Sequence, residues 1–175
     1  MHNYFLTKDD FLTFQLFEAS TNPKKINKRM KSVWLLAAFF ALIAGSGFYN
    51  NSTFMLIYFS VCAILTLFLA PFYVKWKYKR HYTNYVNDTF KNMDGEVEMK
   101  IGDVYIEESD KISESKFKIS EITEVSEIRT HYFIKVSSGQ SILIPKTNQA
   151  LNNDIQGLIE RNKLKHIIML NWKWN

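Results

Sequence analysis

The apolar positions of the chain fall into three regimes. Between Val33 and Val74 they are continuous: VWLLAAFFALIAGSGFY, then NNST, then FMLIYFSVCAILTLFLAPFYV, with no Asp, Glu, Lys, Arg or His. A bilayer core about 30 Å thick needs about 20 apolar residues in a helix. Residues 54–74 meet that length outright. Residues 33–49 reach it when Met30 and Ser32 extend the run and Lys31 snorkels back to the interface. Asn50 to Thr53 are enough to turn a helical hairpin and too few to form anything else. The sequence therefore predicts a two-helix transmembrane hairpin over 33–74, with spans 33–49 and 54–74. A buried hairpin in a soluble protein would need a large domain covering both helices on every side. The short, charged segments elsewhere in the chain do not supply one.

On either side the apolar spacing becomes helical. Thr7 followed by Asp10 resembles a capping box with Asp in place of Glu, and Phe11, Phe14, Leu16 and Phe17 continue at helical intervals. This predicts a short amphipathic helix over 8–20, ended by Thr21-Asn22-Pro23. Interfacial helices carry basic residues on their polar face. This one carries Asp9, Asp10 and Glu18, which favours packing on a domain over packing on lipid. After the second span, Tyr78, Tyr82, Val86 and Phe90 recur every four residues, with Tyr85 and Met93 beside them, so the helix is expected to extend over 75–93 and stop at Asp94-Gly95. Within the hairpin, Ala37, Ala41 and Gly45 form a small-residue stripe suited to close helix packing, and Pro71 is expected to kink the second span.

From Glu96 the period drops to two. Val97, Met99 and Ile101 alternate with charged residues, and short strands follow at 104–106, 115–119, 123–129, 132–136 and 141–144. Turn signals separate them at Glu108-Ser109-Asp110, Arg129-Thr130-His131 and Ser137-Ser138-Gly139, and Pro145 ends the last one. Asn152 or Asn153 is expected to cap a helix with Ile155, Leu158 and Ile159 on one face. The fold class that results is a membrane α-helical hairpin plus an α+β cytosolic domain. The domain reads as an antiparallel, pleckstrin-homology-like half-barrel closed by a C-terminal helix. The organisation predicted is a cytosolic segment over 1–32, the hairpin over 33–74, a helical extension over 75–93 and the domain over 94–175.

Charge adds an orientation. The net charge of +5 is modest, but its placement is not even. Lys24, Lys25, Lys28, Arg29 and Lys31 stand directly before the first span, and Lys75, Lys77, Lys79 and Arg80 directly after the second. The loop between the spans carries no charge, so the positive-inside rule puts both flanks in the cytoplasm and the turn outside. The chain is expected in the cell (inner or plasma) membrane, multi-pass, with both termini cytoplasmic. Juxtamembrane cations gain about 1 kcal/mol each from an anionic leaflet, which makes these nine residues candidate membrane-surface contacts. Lys146, Arg161 and Lys163 join them from a C-terminal region that is basic after a strongly acidic 94–127. No aromatic-basic motif or recognition helix points to nucleic acid.

Candidate chemistry is sparse. His2, His81, His131 and His166 are far apart in sequence, and none pairs with Cys, Asp or Glu at metal-ligand spacing. No Gly-rich phosphate loop or nucleophile elbow occurs. Glu107, Glu108 and Asp110 fit either a divalent cation or a solvated turn, and the turn is the expectation. No catalytic, cofactor or metal residue is assigned. Cys62 is alone and reads as a packing residue of the second span.

The order of parts resembles the YcxB-like family of small bacterial membrane proteins. The matching features are Leu6-Thr7-Lys8-Asp9-Asp10-Phe11, the basic run, the charge-free hairpin and the basic exit. Ile119-Ser120-Glu121-Ile122, Tyr132-Phe133 and Ile144-Pro145-Lys146 complete the match. Family members often carry Trp where Ile119 aligns, and this chain departs there. The resemblance implies architecture and supplies no catalytic residue. The function expected is that of a non-enzymatic membrane protein whose cytosolic domain binds a protein partner or regulates a neighbour. The alternatives are an anionic-lipid surface module, or an accessory subunit of a membrane enzyme or transporter.

Overall fold

The computed structural model describes residues 1–89, 95–111 and 113–174, apart from the side chains of residues 25 and 29. The expected stop signal at Asp94, and Phe90 and Met93 of the aromatic stripe, lie outside the described residues. Two compact units result, one formed by residues 1–15 with 85–174 and the other by residues 16–84. The hairpin is thus an insertion within the other unit, which is not confined to the expected 94–175.

Helix α1 (Lys8–Thr21) opens with the reciprocal bonds that Thr7 and Asp10 predicted. The Thr7 N–H donates to Asp10 Oδ2 at 2.8 Å, and the Asp10 N–H donates to Thr7 Oγ1 at 3.3 Å. Helix α2 (Pro23–Tyr49) begins where Asn22 accepts the Lys24 N–H on Oδ1 and Pro23 occupies the first turn. Asn51, at φ 53, turns the chain, and α3 (Thr53–Thr89) runs without interruption through Pro71. Both α2 and α3 are long and apolar enough to cross a bilayer.

The packing face of the hairpin differs from the expected stripe. Among the described residues of α2, Val33, Ala37, Ala44 and Gly47 are the buried positions, whereas Ala41 and Gly45 are exposed. Gly47 is where the backbones come closest: a Cβ there would lie 2.7 Å from Met55 Cβ and 2.8 Å from the Leu56 nitrogen. At Gly45 a Cβ would meet nothing within 4 Å. Farther along, the Phe40 and Phe59 rings stack between the helices. Four-residue spacing found a smooth stripe, but the closeness of the turn decides which glycine is needed.

The other unit holds two four-stranded sheets. The first runs β1 (His2–Leu6), β2 (Gly95–Ile101), β3 (Tyr105–Ser109), β4 (Glu114–Lys118), all antiparallel. In the second, β7 (Ser141–Pro145), β6 (His131–Val136) and β5 (Ile122–Glu127) are antiparallel, and β8 (His166–Ile168) adds to β5 in parallel. No closed barrel forms among the described residues. Met99, Ile106, Val125, Ile134, Ile142 and Ile144 are fully buried from the two sheets. Helix α4 (Gln149–Asn162) adds Leu151, Ile155, Leu158 and Ile159, each gaining about 1.5–3 kcal/mol from burial. Its cap is Asn148, whose Oδ1 accepts from Ala150 and Leu151, and not Asn152 or Asn153. Of the expected turn Glu108-Ser109-Asp110, the first two residues are strand, and the chain reverses from Asp110, which accepts the Ser113 N–H at 2.7 Å.

Candidate functional site

The candidate surface contacts divide into two collars on the hairpin and a set on the sheet unit. Lys24, Lys28 and Lys31 project from the first turns of α2, all exposed. Lys25 and Arg29 belong to the same helix, and their side chains lie outside the described residues. On α3, Lys77, Lys79 and Arg80 are exposed and Lys75 is half-buried. Arg80 is braced by Trp76, its guanidinium carbon 5.4 Å from the ring centroid. Both collars are carried on helical backbone and not on an irregular tail.

The sheet-unit cations do not form one face. Lys146 follows β7 and turns inward. Its Nζ lies 2.5 Å from Glu127 Oε1 and 4.4 Å from the Tyr132 ring centroid, with 17 % of the side chain exposed. Lys165 is held by Glu124 at 2.7 Å. Arg161 and Lys163 remain exposed at the end of α4, where positive charge complements the helix dipole. Lys163 is also the left-handed cap residue, at φ 49. Sequence order aligned Lys146 with Arg161 and Lys163 because it cannot register that Glu127 ends the adjoining strand pair.

The acidic cluster is consumed by local partners. Glu107 accepts from Lys116 at 2.6 Å, and this hydrogen bond lowers its pKa. Glu108 accepts the Tyr4 hydroxyl at 2.9 Å across β2. Burial nevertheless outweighs that bond and raises the Glu108 pKa. No group of three His, Cys, Asp or Glu side chains that could hold a metal ion occurs among the described residues.

Histidine and carboxylate pairs, which spacing alone did not suggest, join distant segments. His2 of β1 reaches Asp154 of α4 at 2.7 Å. His131 of β6 reaches Asp10 of α1 at 2.8 Å, and its other nitrogen lies 2.8 Å from Thr130 Oγ1. Its ring stacks on Phe133, which in turn meets Phe14 at 5.5 Å. Burial works to raise the Asp10 pKa, but the hydrogen bonds from His131 and Thr7 prevail and hold it below the usual carboxylate range. His166 Nε2 lies 2.7 Å from Glu127 Oε2, within ion-pair distance though not aligned for a hydrogen bond. Glu127 thus faces two nitrogen groups, the Lys146 ammonium and the His166 ring. The start of α1 therefore packs on the sheet unit, as its acidic polar face suggested. The only sequence signal for this was the mismatch between that acidic face and a lipid surface.

No curated protein and no solved structure matches the chain. Residues 101–150, from the end of β2 to the first turn of α4, do match a family model. The family they match is described as YcxB-like protein, the one that the order of parts already resembled.

Proposed function

We propose that the chain is a non-enzymatic protein of the plasma membrane. In this reading α2 and α3 span the bilayer, and the sheet unit, a PH-like half-barrel closed by α4, binds a protein partner or regulates a neighbour on the cytosolic face. The membrane part is supported by exposure. Phe68, Leu69 and Phe72 are each more than 60 % exposed on α3, an arrangement that water does not tolerate over such a length. The single observation that carries the non-enzymatic part is the use made of the buried ionisable groups. Asp10, Glu127, His131, Lys146 and His166 are all engaged in joining chain segments within the fold. These pairings tie separate chain segments together, which supports a structural use for the groups.

Reporter fusions test the topology: activity after Asn51 only outside the cytoplasm, and after Lys31 and Asn175 only inside. A C-terminal reporter active outside overturns the two-span reading. Purification from native cells in mild detergent tests the binding role. A stoichiometric protein that is lost when residues 95–174 are deleted supports it. Anionic lipid co-purifying without such a protein favours a surface-binding module instead, for which the exposed collars and the Arg161–Lys163 pair are the specific support.

A further inference from the structure

Between α2 and α3 lies an open cleft of about 410 Å³ whose walls come from Ser32 on one helix and Tyr73, Val74, Lys77, Tyr78, His81 and Tyr82 on the other. The α3 residues recur at i, i+4 and i+8, so they form one helical face and not a chance grouping. Among the described residues no carboxylate lines the cleft. Its depth is fixed by the helix rise of about 1.5 Å per residue. From the start of α3 to Val74 the helix covers about 30 Å, the thickness of the hydrocarbon core. Lys77 and His81 then fall about 5 and 10 Å beyond it, at the level of lipid phosphates.

We propose that this cleft is a site for one anionic phospholipid, an inference that rests on the hairpin crossing the bilayer. The Lys77 ammonium and the His81 ring face the phosphate, and Ser32, whose hydroxyl makes a long 3.5 Å bond to the Lys28 carbonyl, forms the opposite wall. Val74 and the Tyr73 ring line the end toward the acyl chains. Charge complementarity selects an anionic headgroup: the cleft presents a cation and nitrogen and oxygen donors, and none of its described lining residues is negative. The site differs from the two collars, which attract a leaflet collectively. It seats a single headgroup in the open cleft between two helices.

Native mass spectrometry of the full chain in mild detergent tests this, with phosphatidylglycerol, phosphatidylcholine and inorganic phosphate as separate probes. One phosphatidylglycerol should be retained per chain, with phosphatidylcholine and inorganic phosphate retained far less. Lys77→Gln should weaken retention about fivefold, the effect of one juxtamembrane cation. Ser32→Phe, which fills the cleft without altering charge, should weaken it as well. Lys24→Gln and Lys79→Gln, outside the cleft, should leave it unchanged. Equal retention by Lys77→Gln and the parent chain, or equal loss from all three Lys variants, overturns the site in favour of none or of a diffuse collar. Phosphate competing as well as the lipid overturns the lipid assignment. Alkaline extraction of the same membranes separates the two failures: a chain released by it refutes the spanning hairpin, and a retained chain without bound lipid refutes only the cleft.

Discussion

At the scale of single residues, two carboxylates pull the stability of the sheet unit in opposite directions. Asp10 has a lowered pKa in the folded chain. Its contribution is therefore present above the unfolded carboxylate value and is lost as pH falls through the native one. Asp10→Asn should cost about 1–3 kcal/mol at neutral pH, the penalty of leaving buried His131 with a weakened partner. It should also flatten the acid limb of the stability profile, as read by thermal unfolding of the full chain in detergent across pH. Glu108 is the reverse case, with its pKa raised by burial. The fold favours its protonated form, so stability falls as pH rises from the unfolded value to the native one. Glu108→Gln keeps an acceptor for the Tyr4 hydroxyl and removes that charge. It should unfold at the same or a higher temperature than the parent at neutral pH, with no gain in acid. A clear loss at neutral pH would mean that the ionised form is favoured.

At the scale of elements, the hairpin and the antiparallel strands were legible because each is specified by its own residues. An uninterrupted apolar run needs no distant partner to be recognised, and neither does the Thr7–Asp10 box. What could not be read were features defined by a distant partner. Strand β1 has five residues and acquires its identity only from β2. Strand β8 has three residues and pairs in parallel with β5. The α4 cap was placed four or five residues late because several Asn residues stand together, and only the chain path after Pro145 selects Asn148. Lys146 looked like a surface cation until Glu127 and Tyr132 enclosed it. The hairpin interface yields a test at this scale. Gly47→Ala puts a methyl where Met55 and Leu56 already stand and should cost about 1–3 kcal/mol by overpacking. Gly45→Ala should be neutral. Thermal unfolding in one detergent compares them, and equal effects would contradict the packing face described.

At the scale of the whole molecule, the hairpin is an insertion in the sheet unit rather than its neighbour in sequence. A fragment of residues 95–174 leaves the β1 side of β2 unpaired and exposes a strand edge, a recognised route to aggregation. Joined to residues 1–15 through a flexible linker, the same fragment should regain solubility and show mixed helix and strand circular dichroism. A soluble, folded fragment without residues 1–15 would show β1 to be dispensable. The pairing of Leu6 with Gly95 also sets a clock on biosynthesis. Chains are made at about 5–20 residues per second, so the first strand waits on the order of 5–20 s for its mate. The whole hairpin leaves the ribosome during that interval. In the spanning reading, insertion of the hairpin is free to begin before the sheet can close, and the sheet closes only on a chain that already carries both apolar helices.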